Sequence, residues 1–313
     1  MVFSVVTHVA VGIIINQHDQ VLVSKRRLGS HRGGLWEFPG GKKEISESIE
    51  QALKRELFEE LGISLTKFHP FTKVLHKYDE KTVLLDVWII SGFDGHAEGR
   101  EGQVIEWRKL QSLQPDDFPE ANAEIIKLVK LPKEIAITPD LDTTEELAIL
   151  FKQYAKKGIR LIQFRQKKLN EVEYIQSLKY AFLIAQEFEI DLIANHSFGC
   201  LHANSSIGFH ANSKTLMSIH ERPVSKTQLF SASCHSLNEL VQAEKLNTDF
   251  VTLSPVCYTP KYSHGFELGW EGFADLANSV SLPVYALGGV GRDDLGKAER
   301  WGAYGVAGIT SYL

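Results

Sequence analysis

Three glutamates, Glu56, Glu59 and Glu60, fall at positions i, i+3 and i+4 of one predicted helix and share a face about 100° wide. Like charges at this spacing destabilise a helix by roughly 0.2–0.5 kcal/mol per pair, and carboxylates in the last turns also oppose the helix dipole. A bound cation would remove both penalties, and carboxylate oxygens favour the hard ions Mg²⁺ or Mn²⁺. The pattern predicts a divalent-metal site, and a solvated acidic helix face is the alternative.

The helix that positions these carboxylates has clear start and stop signals. Ser48 followed by Gln51 is typical of a capping box, and Gly62 is typical of a helix end. Apolar residues at i+4 spacing, from Ile49 to Leu61, can pack inward while the acidic face stays outside. The sequence therefore predicts a helix over 49–61.

The spacing around this helix is specific. From Gly41 the chain has five residues, then Glu47, then seven residues, then the segment Arg55–Ile63. This pattern resembles the Nudix box at every defined position. The resemblance implies a loop–helix–loop that holds metal ions on a diphosphate, where water attacks phosphorus and the metals neutralise the leaving group.

The resemblance also implies residue roles, although it leaves open which glutamate is the general base. It implies metal ligands at Glu56, Glu59 and Glu60, with help from the Gly40 carbonyl. It implies a structural role for Gly41 and an ion pair between Glu47 and Arg55 that braces the loop.

Three further segments resemble the MutT-type branch of the Nudix hydrolases. They are 35–42, 101–103 and 116–122. This branch implies hydrolysis of 8-oxo-dGTP to 8-oxo-dGMP and pyrophosphate, which sanitises the nucleotide pool and avoids mutation. The implied residues are a further catalytic, metal-binding carboxylate, Glu101, and a substrate pocket formed by Arg26, Phe38, Phe118 and Asn122. The alternative places Asn122 as a helix cap and Phe118 in the core.

Strands and helices in the first part predict an α/β/α sandwich with a mixed sheet, the Nudix fold. The predicted strands are 9–16, 21–25, 74–76 and 82–91, the first two joined by the turn 17–20, and the predicted last helix is 121–130. Pro132 indicates a boundary after Leu131, because proline ends helices. We expect a Nudix domain over 1–131 and a second domain over 134–313.

The second part alternates short apolar strands with helical stretches, which favours a parallel α/β fold. About eight strands are predicted, the number that closes a (β/α)8 TIM barrel. Because the given sequence stops just after the eighth, the barrel should lack a full last helix. The predicted strands are 135–138, 161–165, 192–195, 208–211, 229–233, 250–254, 284–287 and 305–309.

The segment 162–167 resembles the pyrimidine-pyrophosphate strand of thiamine-phosphate synthases and the related TenI proteins. Segments 192–195, 231–235, 287–290 and 305–308 continue the resemblance over most of the domain. It implies a phosphate-bearing, thiamin-related ligand, with glycine-rich phosphate loops after strands seven and eight. The implied ligand residues are Gln163, Arg165, Lys167, Asn195, His235, Gly288, Gly289, Ala307 and Gly308.

The barrel departs from the synthase pattern where acidic metal ligands are needed. His196 stands at the first such position, and the loop 211–214 offers no carboxylate. A synthase must stabilise departing pyrophosphate, so these departures argue against synthesis. A TenI-like domain and a non-catalytic binding or interaction module both stay open. A further alternative makes the Nudix domain a hydrolase of a thiamin-related diphosphate.

Composition limits the remaining function classes. The 313 residues carry a net charge of −5, which argues against a general nucleic-acid or membrane binder. The three cysteines are few and dispersed, which indicates free thiols, and the apolar segment 9–15 is too short to span a bilayer. We therefore expect a cytoplasmic enzyme with a small nucleotide substrate and Mg²⁺ or Mn²⁺ as cofactor.

Overall fold

The chain divides into two compact units, residues 1–131 and 132–313. The computed structural model describes residues 6–29, 32–78, 82–195, 206–259 and 267–313. His196, one of the positions on which the argument against synthesis rests, and Cys200 lie outside the described residues. Within the described ranges, no helix is long and apolar enough to cross a membrane.

The first unit combines two small sheets with two helices. In chain order it contains β1 (Val6–Ile14), β2 (Gln20–Lys25), β3 (Trp36–Glu37), β4 (Gly40–Lys42), α1 (Ile49–Leu61), β5 (Ser64–Lys77), β6 (Thr82–Asp94), β7 (Ile105–Lys109) and α2 (Glu120–Val129). One sheet has the order β4-β1-β6-β5, in which only β1 and β6 are parallel. The other has the order β3-β2-β7 and is antiparallel. The predicted mixed-sheet fold is confirmed.

Helix α1 begins and ends as predicted. The Ser48 side chain accepts a hydrogen bond from the Gln51 N–H, and the Gln51 side-chain oxygen accepts one from the Ser48 N–H. Gly62 adopts a left-handed φ of 73°. Leu57 packs against β1 at Gly12, where a Cβ would lie 2.9 Å from Leu57 Cδ1 and 2.7 Å from Ile90 Cδ1. The missing side chain at Gly12 thus lets α1 lie close to the sheet.

Two details of the first unit differ from the prediction. The first two strands are joined by a turn, but β1 and β2 share only the bridge between Ile15 and Val21 and then enter different sheets. Residues 74–76 are the end of the much longer β5, whose pairing with β6 shifts register around Lys67 and Pro70. Such irregularities break the period-two pattern from which a strand is predicted.

The second unit is a closed barrel of eight parallel strands, so the predicted TIM-barrel class is confirmed. Its strands are β8 (Glu134–Ile137), β9 (Leu161–Phe164), β10 (Asp191–Ala194), β11 (Gly208–Ala211), β12 (Phe230–Cys234), β13 (Phe250–Leu253), β14 (Val284–Leu287) and β15 (Gly305–Gly308). Its helices are α3 (Thr144–Lys156), α4 (Glu171–Glu187), α5 (Ser213–Ser218), α6 (Leu237–Lys245), α7 (Gly269–Ala277) and α8 (Leu295–Arg300). Strand β15 is followed by a 3-10 turn, Thr310–Tyr312.

The barrel strands bury both of their faces. Alternate residues such as Phe209, Phe230 and Val251 join the apolar layer beneath the helices. The residues between them face the barrel axis, and several are polar and fully buried, including His210 and Ser231. A polar barrel interior departs from the branched aliphatic filling that is usual for this fold.

Candidate functional site

The acidic face of α1 lies over the glycines of β4. Glu60 Oε2 accepts a hydrogen bond from the Gly40 N–H at 3.1 Å. The Glu56 carboxylate occupies the space beside Gly41, where any Cβ would overlap it. The glycine pair of the predicted loop thus allows two of the three carboxylates to approach the backbone closely.

Several carboxylates of this unit share one electrostatic environment. Burial raises the pKa of Glu60 to about 8, the Gly40 N–H opposes that rise, and the charges of Glu37, Glu56 and Glu101 add to it. Burial also raises the pKa of Glu37. Sequence analysis placed Glu37 in a motif but gave it no role, because its proximity to Glu60 depends on the sheet.

Arg55 is the cation that the chain itself supplies to this cluster. Its Nη1 donates to Glu56 at 3.0 Å and to Glu59 at 3.1 Å. Its Nη2 and Nε donate to Glu47 at 2.6 and 3.1 Å. The Arg55 hydrogen bonds and the Glu44 N–H hold the pKa of Glu47 at about 2. Arg55 therefore neutralises part of the repulsion along α1.

The loop that carries Glu101 is tied to the end of α1. The Gln103 amide donates to the Glu60 carbonyl at 3.0 Å and its oxygen accepts from the Glu101 N–H at 2.9 Å. The Arg100 N–H also donates to the Glu60 carbonyl at 2.9 Å. The Glu101 side chain is half exposed, and its Oε2 lies 3.4 Å from Arg27 Nη2. Backbone contacts thus bring this carboxylate towards Glu60.

The donor set suits a hard divalent cation. In the described part of the chain, no three His, Cys, Asp or Glu side chains form a ready-made metal site. The residues nevertheless fit the ion, since all candidate ligands offer oxygen and the burial of Glu60 disfavours its unpaired charge. Arg55 Nη1 binds one oxygen of Glu56 and one oxygen of Glu59, so each carboxylate has a second oxygen that could bind a metal.

A cluster of buried side chains, called the aromatic cluster below, lies around the start of α2. The rings of Phe38 and Phe118 stack with centroids 5.4 Å apart, and Asn122 is buried at 8% exposure. The N-cap of α2 is Pro119, without a side-chain cap bond, so the alternative that Asn122 caps the helix is wrong. Tyr78 also lies here, hydrogen-bonded to the Ala121 backbone. Sequence analysis missed Tyr78 because no motif marks it.

Arg26 connects to the aromatic cluster through Tyr78 and to the acids through Glu37. Its guanidinium donates to the Glu37 carboxylate, and it also affects Tyr78 electrostatically. The Arg26–Glu37 pair therefore connects the aromatic cluster with the carboxylates of α1. Glu37 thus links a predicted substrate residue, Arg26, with a predicted metal residue, Glu60.

The barrel opens into a cavity of about 1730 Å³ at the carboxyl ends of its strands. The predicted residues that line it are Gln163, Arg165, Lys167, Asn195, His235, Gly288, Gly289 and Gly308. Ala307 is fully buried in β15 and is not among the described residues that line the cavity. Strand β9 ends at Phe164, so Arg165 and Lys167 lie in the loop beyond it rather than within the strand.

The glycine loop after β14 approaches the cavity closely. Gly288 and Gly289 have φ values of 92° and 68°, and a Cβ on Gly289 would lie 2.6 Å from the Tyr258 carbonyl. Other residues would be strained at both positions. His235 lies at the rim, where its Nδ1–H donates to the Ser254 carbonyl at 2.7 Å.

Two family models match the chain. The model described as thiamine monophosphate synthase matches residues 134–312, and the NUDIX domain model matches residues 10–128. The 8-oxo-dGTP diphosphatase of Escherichia coli (strain K12) is 39% identical over 122 residues, which cover 39% of this chain and 95% of that protein. The chain belongs to the Nudix and thiamine monophosphate synthase families. The predicted two-family resemblance is thereby confirmed.

Other relatives match one unit each. The thiamine-phosphate synthase of Clostridium acetobutylicum is 24% identical and covers 50% of this chain and 75% of that protein. The CTP pyrophosphohydrolase of Escherichia coli (strain K12) is 35% identical and covers 35% of this chain and 84% of that protein. A solved structure titled as MutT from Aliivibrio salmonicida and Vibrio cholerae has 41% identity and a TM-score of 0.34, covering 39% and 95% of the respective chains. Residues 1–131 are called the Nudix unit below, and residues 132–313 the barrel unit.

A buried histidine in the barrel unit gives a pH-dependent prediction. Burial lowers the pKa of His210 from 6.5 to about 3, so the folded barrel keeps this imidazole neutral while an unfolded chain protonates it below pH 6.5. We expect the opening free energy of β11 to fall as pH drops from 6.5 towards 3, by up to about 1.4 kcal/mol per pH unit. Amide hydrogen exchange in the full chain measures this slope.

His210→Gln should flatten that slope, because glutamine binds no proton in this range. His220→Gln removes an exposed histidine instead and serves as the matched control, with the slope of the unchanged chain. An unchanged slope in His210→Gln contradicts the assignment of the lost stability to this imidazole.

Proposed function

We propose that the Nudix unit is a Mg²⁺-dependent 8-oxo-dGTP diphosphatase that releases 8-oxo-dGMP and pyrophosphate. The observation that carries the proposal is the aromatic cluster of Phe38, Phe118 and Asn122. Arg26 and Glu37 connect this cluster with the carboxylates of α1. A planar base packed against the aromatic cluster and a triphosphate bound at the carboxylates would match the two ends of a nucleotide. The 8-oxo-dGTP diphosphatase relative supports the substrate.

The residues of the chain divide the work. Glu56, Glu59, Glu60 and Glu101, with the Gly40 carbonyl, would hold the cation. A bound divalent cation would neutralise phosphate oxygens and stabilise the leaving pyrophosphate. Arg55 and Glu47 would keep the helix and loop in place, because their ion pair joins both. Burial, with the charges of Glu37, Glu56 and Glu101, raises the pKa of Glu60, so a bound cation would stabilise the charged form of this carboxyl.

Loss of one carboxylate at the cluster should reduce catalysis strongly. Glu60→Gln keeps the shape of the side chain but removes its charge, and we expect kcat/KM for 8-oxo-dGTP to fall roughly 10²–10³-fold. The rise in Tm on adding Mg²⁺, a linkage effect of binding, should shrink in parallel. Both are measured on the full chain by pyrophosphate release and thermal unfolding.

Glu50→Gln is the matched control for this variant. Glu50 lies in the first turn of the same helix, exposed and paired with Lys54 at 2.6 Å. Its kinetics and its Mg²⁺-induced Tm rise should equal those of the unchanged chain. A Glu60→Gln protein that hydrolyses 8-oxo-dGTP at the normal rate contradicts the proposed metal role.

Asn122 should decide the preference for the oxidised base. Its carboxamide both donates and accepts hydrogen bonds, and 8-oxoguanine offers a carbonyl and an N–H where guanine offers a C–H and a bare nitrogen. We expect Asn122→Ala to raise KM for 8-oxo-dGTP roughly 10- to 100-fold, the effect of one or two lost hydrogen bonds, and to change hydrolysis of dGTP little. Steady-state kinetics with both nucleotides test this.

Glu124→Ala, two residues further along α2, controls for general damage to the helix. Equal effects of Asn122→Ala on both nucleotides would remove its base-recognition role. Thiamin diphosphate and CTP complete the substrate panel, with the full chain. A higher kcat/KM for either one than for 8-oxo-dGTP overturns the proposed substrate, and thiamin diphosphate would favour the alternative tied to thiamin metabolism.

For the barrel unit we propose a site for a phosphate-bearing, thiamin-related ligand rather than a synthase. Among the described residues that line the cavity, the basic side chains are Arg165, Lys167, Lys214 and Arg292, and the carboxylates are Asp293 and Asp294. Asp294 accepts a hydrogen bond from the Gly291 N–H at 3.0 Å, within the glycine loop. The loop 211–214 brings Asn212 and Lys214 to the cavity, and no carboxylate.

This cavity should bind inorganic phosphate equally well with Mg²⁺ and with EDTA, because its own cations face the anion. Arg165→Met should weaken binding at least about tenfold, since a charged hydrogen bond is lost. Isothermal titration of the full chain measures both effects. A requirement for Mg²⁺, or formation of thiamin phosphate from the two synthase substrates, would contradict the proposal.

A further inference from the structure

A hydrogen-bonded trio, Ser231–His210–Ser233, lies inside the barrel below the cavity. His210 Nδ1 lies 2.8 Å from Ser231 Oγ, and His210 Nε2 lies 2.8 Å from Ser233 Oγ. Ser231 is fully buried and His210 is 1% exposed, whereas Ser233 is half-buried and lines the cavity. The trio therefore has one end in the interior and one at the ligand.

The trio contains three hydrogen atoms that can be donated, but only two hydrogen bonds join its members. A neutral imidazole carries one N–H and one bare nitrogen, and each serine adds one O–H. The imidazole stays neutral because burial without a carboxylate partner holds the pKa of His210 well below its usual range. One of the two serines must consequently donate its hydrogen outside the trio.

The two arrangements differ in where that remaining hydrogen goes. If Nδ1 carries the proton, Ser233 donates to Nε2 and the Ser231 hydroxyl is the remaining donor. Among the described residues, His210 is the only recorded hydrogen-bond partner of the Ser231 side chain, so that donor would be buried and unsatisfied. An unsatisfied buried donor bears its full desolvation penalty.

If Nε2 carries the proton, every buried donor is satisfied. Ser231 then donates to Nδ1, Nε2–H donates to Ser233, and the Ser233 hydrogen is directed away from the imidazole to the cavity. Water or a ligand atom accepts it there.

We propose that Ser231 and His210 are positioning residues that fix Ser233 as a hydrogen-bond donor to the ligand of the barrel cavity. The ligand atom at this point must therefore be an acceptor, such as an oxygen of a phosphate group. This inference rests on the proposed phosphate-ligand role of the cavity, and its ligand is defined only by that chemistry.

Two neighbouring side chains show why the direction matters. Gln163, at 3% exposure, and Asn195 also line the cavity, and their amides can rotate to donate or to accept. Unlike these two amides, the Ser233 hydroxyl has its direction set by a buried partner, His210. It therefore discriminates between acceptor and donor atoms of a ligand, where the amides adapt to either.

The first test is the tautomer of His210 in the full chain without ligand. Long-range ¹H–¹⁵N correlation spectra of ¹⁵N-histidine-labelled protein, assigned with His210→Gln, should show the proton on Nε2. A proton on Nδ1 overturns the proposal, whatever the cavity binds.

The second test is titration with inorganic phosphate. Ser233→Ala should raise the Kd at least about tenfold through loss of a hydrogen bond to a charged group. Ser231→Ala should also raise the Kd, by roughly three- to tenfold, because the direction of the Ser233 hydroxyl is no longer fixed. A purely structural role for Ser231 predicts a lower Tm with an unchanged Kd, and that result overturns the positioning role.

Thr252→Val is the matched control. Thr252 is the register partner of Ser233 on β13, is fully buried, and its hydroxyl has no hydrogen-bond partner among the described residues. Its loss should leave the phosphate Kd unchanged. If the unchanged chain binds no phosphate, the proposed ligand class fails, while the tautomer still decides between the two hydrogen-bond arrangements.

Discussion

Repulsion among carboxylates is the constraint on which the Nudix unit depends. Glu56, Glu59 and Glu60 share one helix face, and the fold adds Glu37 and Glu101 to the same environment. Arg55 offsets this repulsion by binding Glu47, Glu56 and Glu59 together. The arrangement is stable enough to hold the acids in place, yet it leaves Glu60 with a charge that burial disfavours. A divalent cation relieves what Arg55 leaves unpaired.

The barrel unit solves a different electrostatic problem without a charge cluster in its interior. Inside the barrel, Ser231 and Ser233 hydrogen-bond to His210, and burial keeps this histidine unprotonated. At the mouth of the barrel, Arg165 and Lys167 line the cavity. The Nudix unit thus groups carboxylates that a cation would stabilise, and the barrel unit lines its cavity with cations that an anion would stabilise. In the functions proposed above, both units would bind phosphate groups, the first with a metal and the second without one.

Much of the fold follows from local pattern. The capping box at Ser48 and the glycine at 62 define α1 to the residue, because both act within one turn. The eight barrel strands were predicted to within one residue at each end, since short apolar segments between helices have few other solutions. Only the end of the long β5 was predicted, because three register shifts, one of them at Pro70, break its alternation. Strand β7 was missed because it is short and mostly polar.

The sequence by itself determined the two families, the carboxylate spacing of α1 and the glycine loops of the barrel, since these depend on neighbours within a few turns. Only the tertiary structure decided that Glu37 lies beside the acids and that Tyr78 lies beside the Ala121 backbone at the start of α2. It alone decided that His210 is enclosed between Ser231 and Ser233. These contacts join residues that are far apart in the sequence, and no spacing along the chain encodes the direction in which a buried hydroxyl donates its hydrogen.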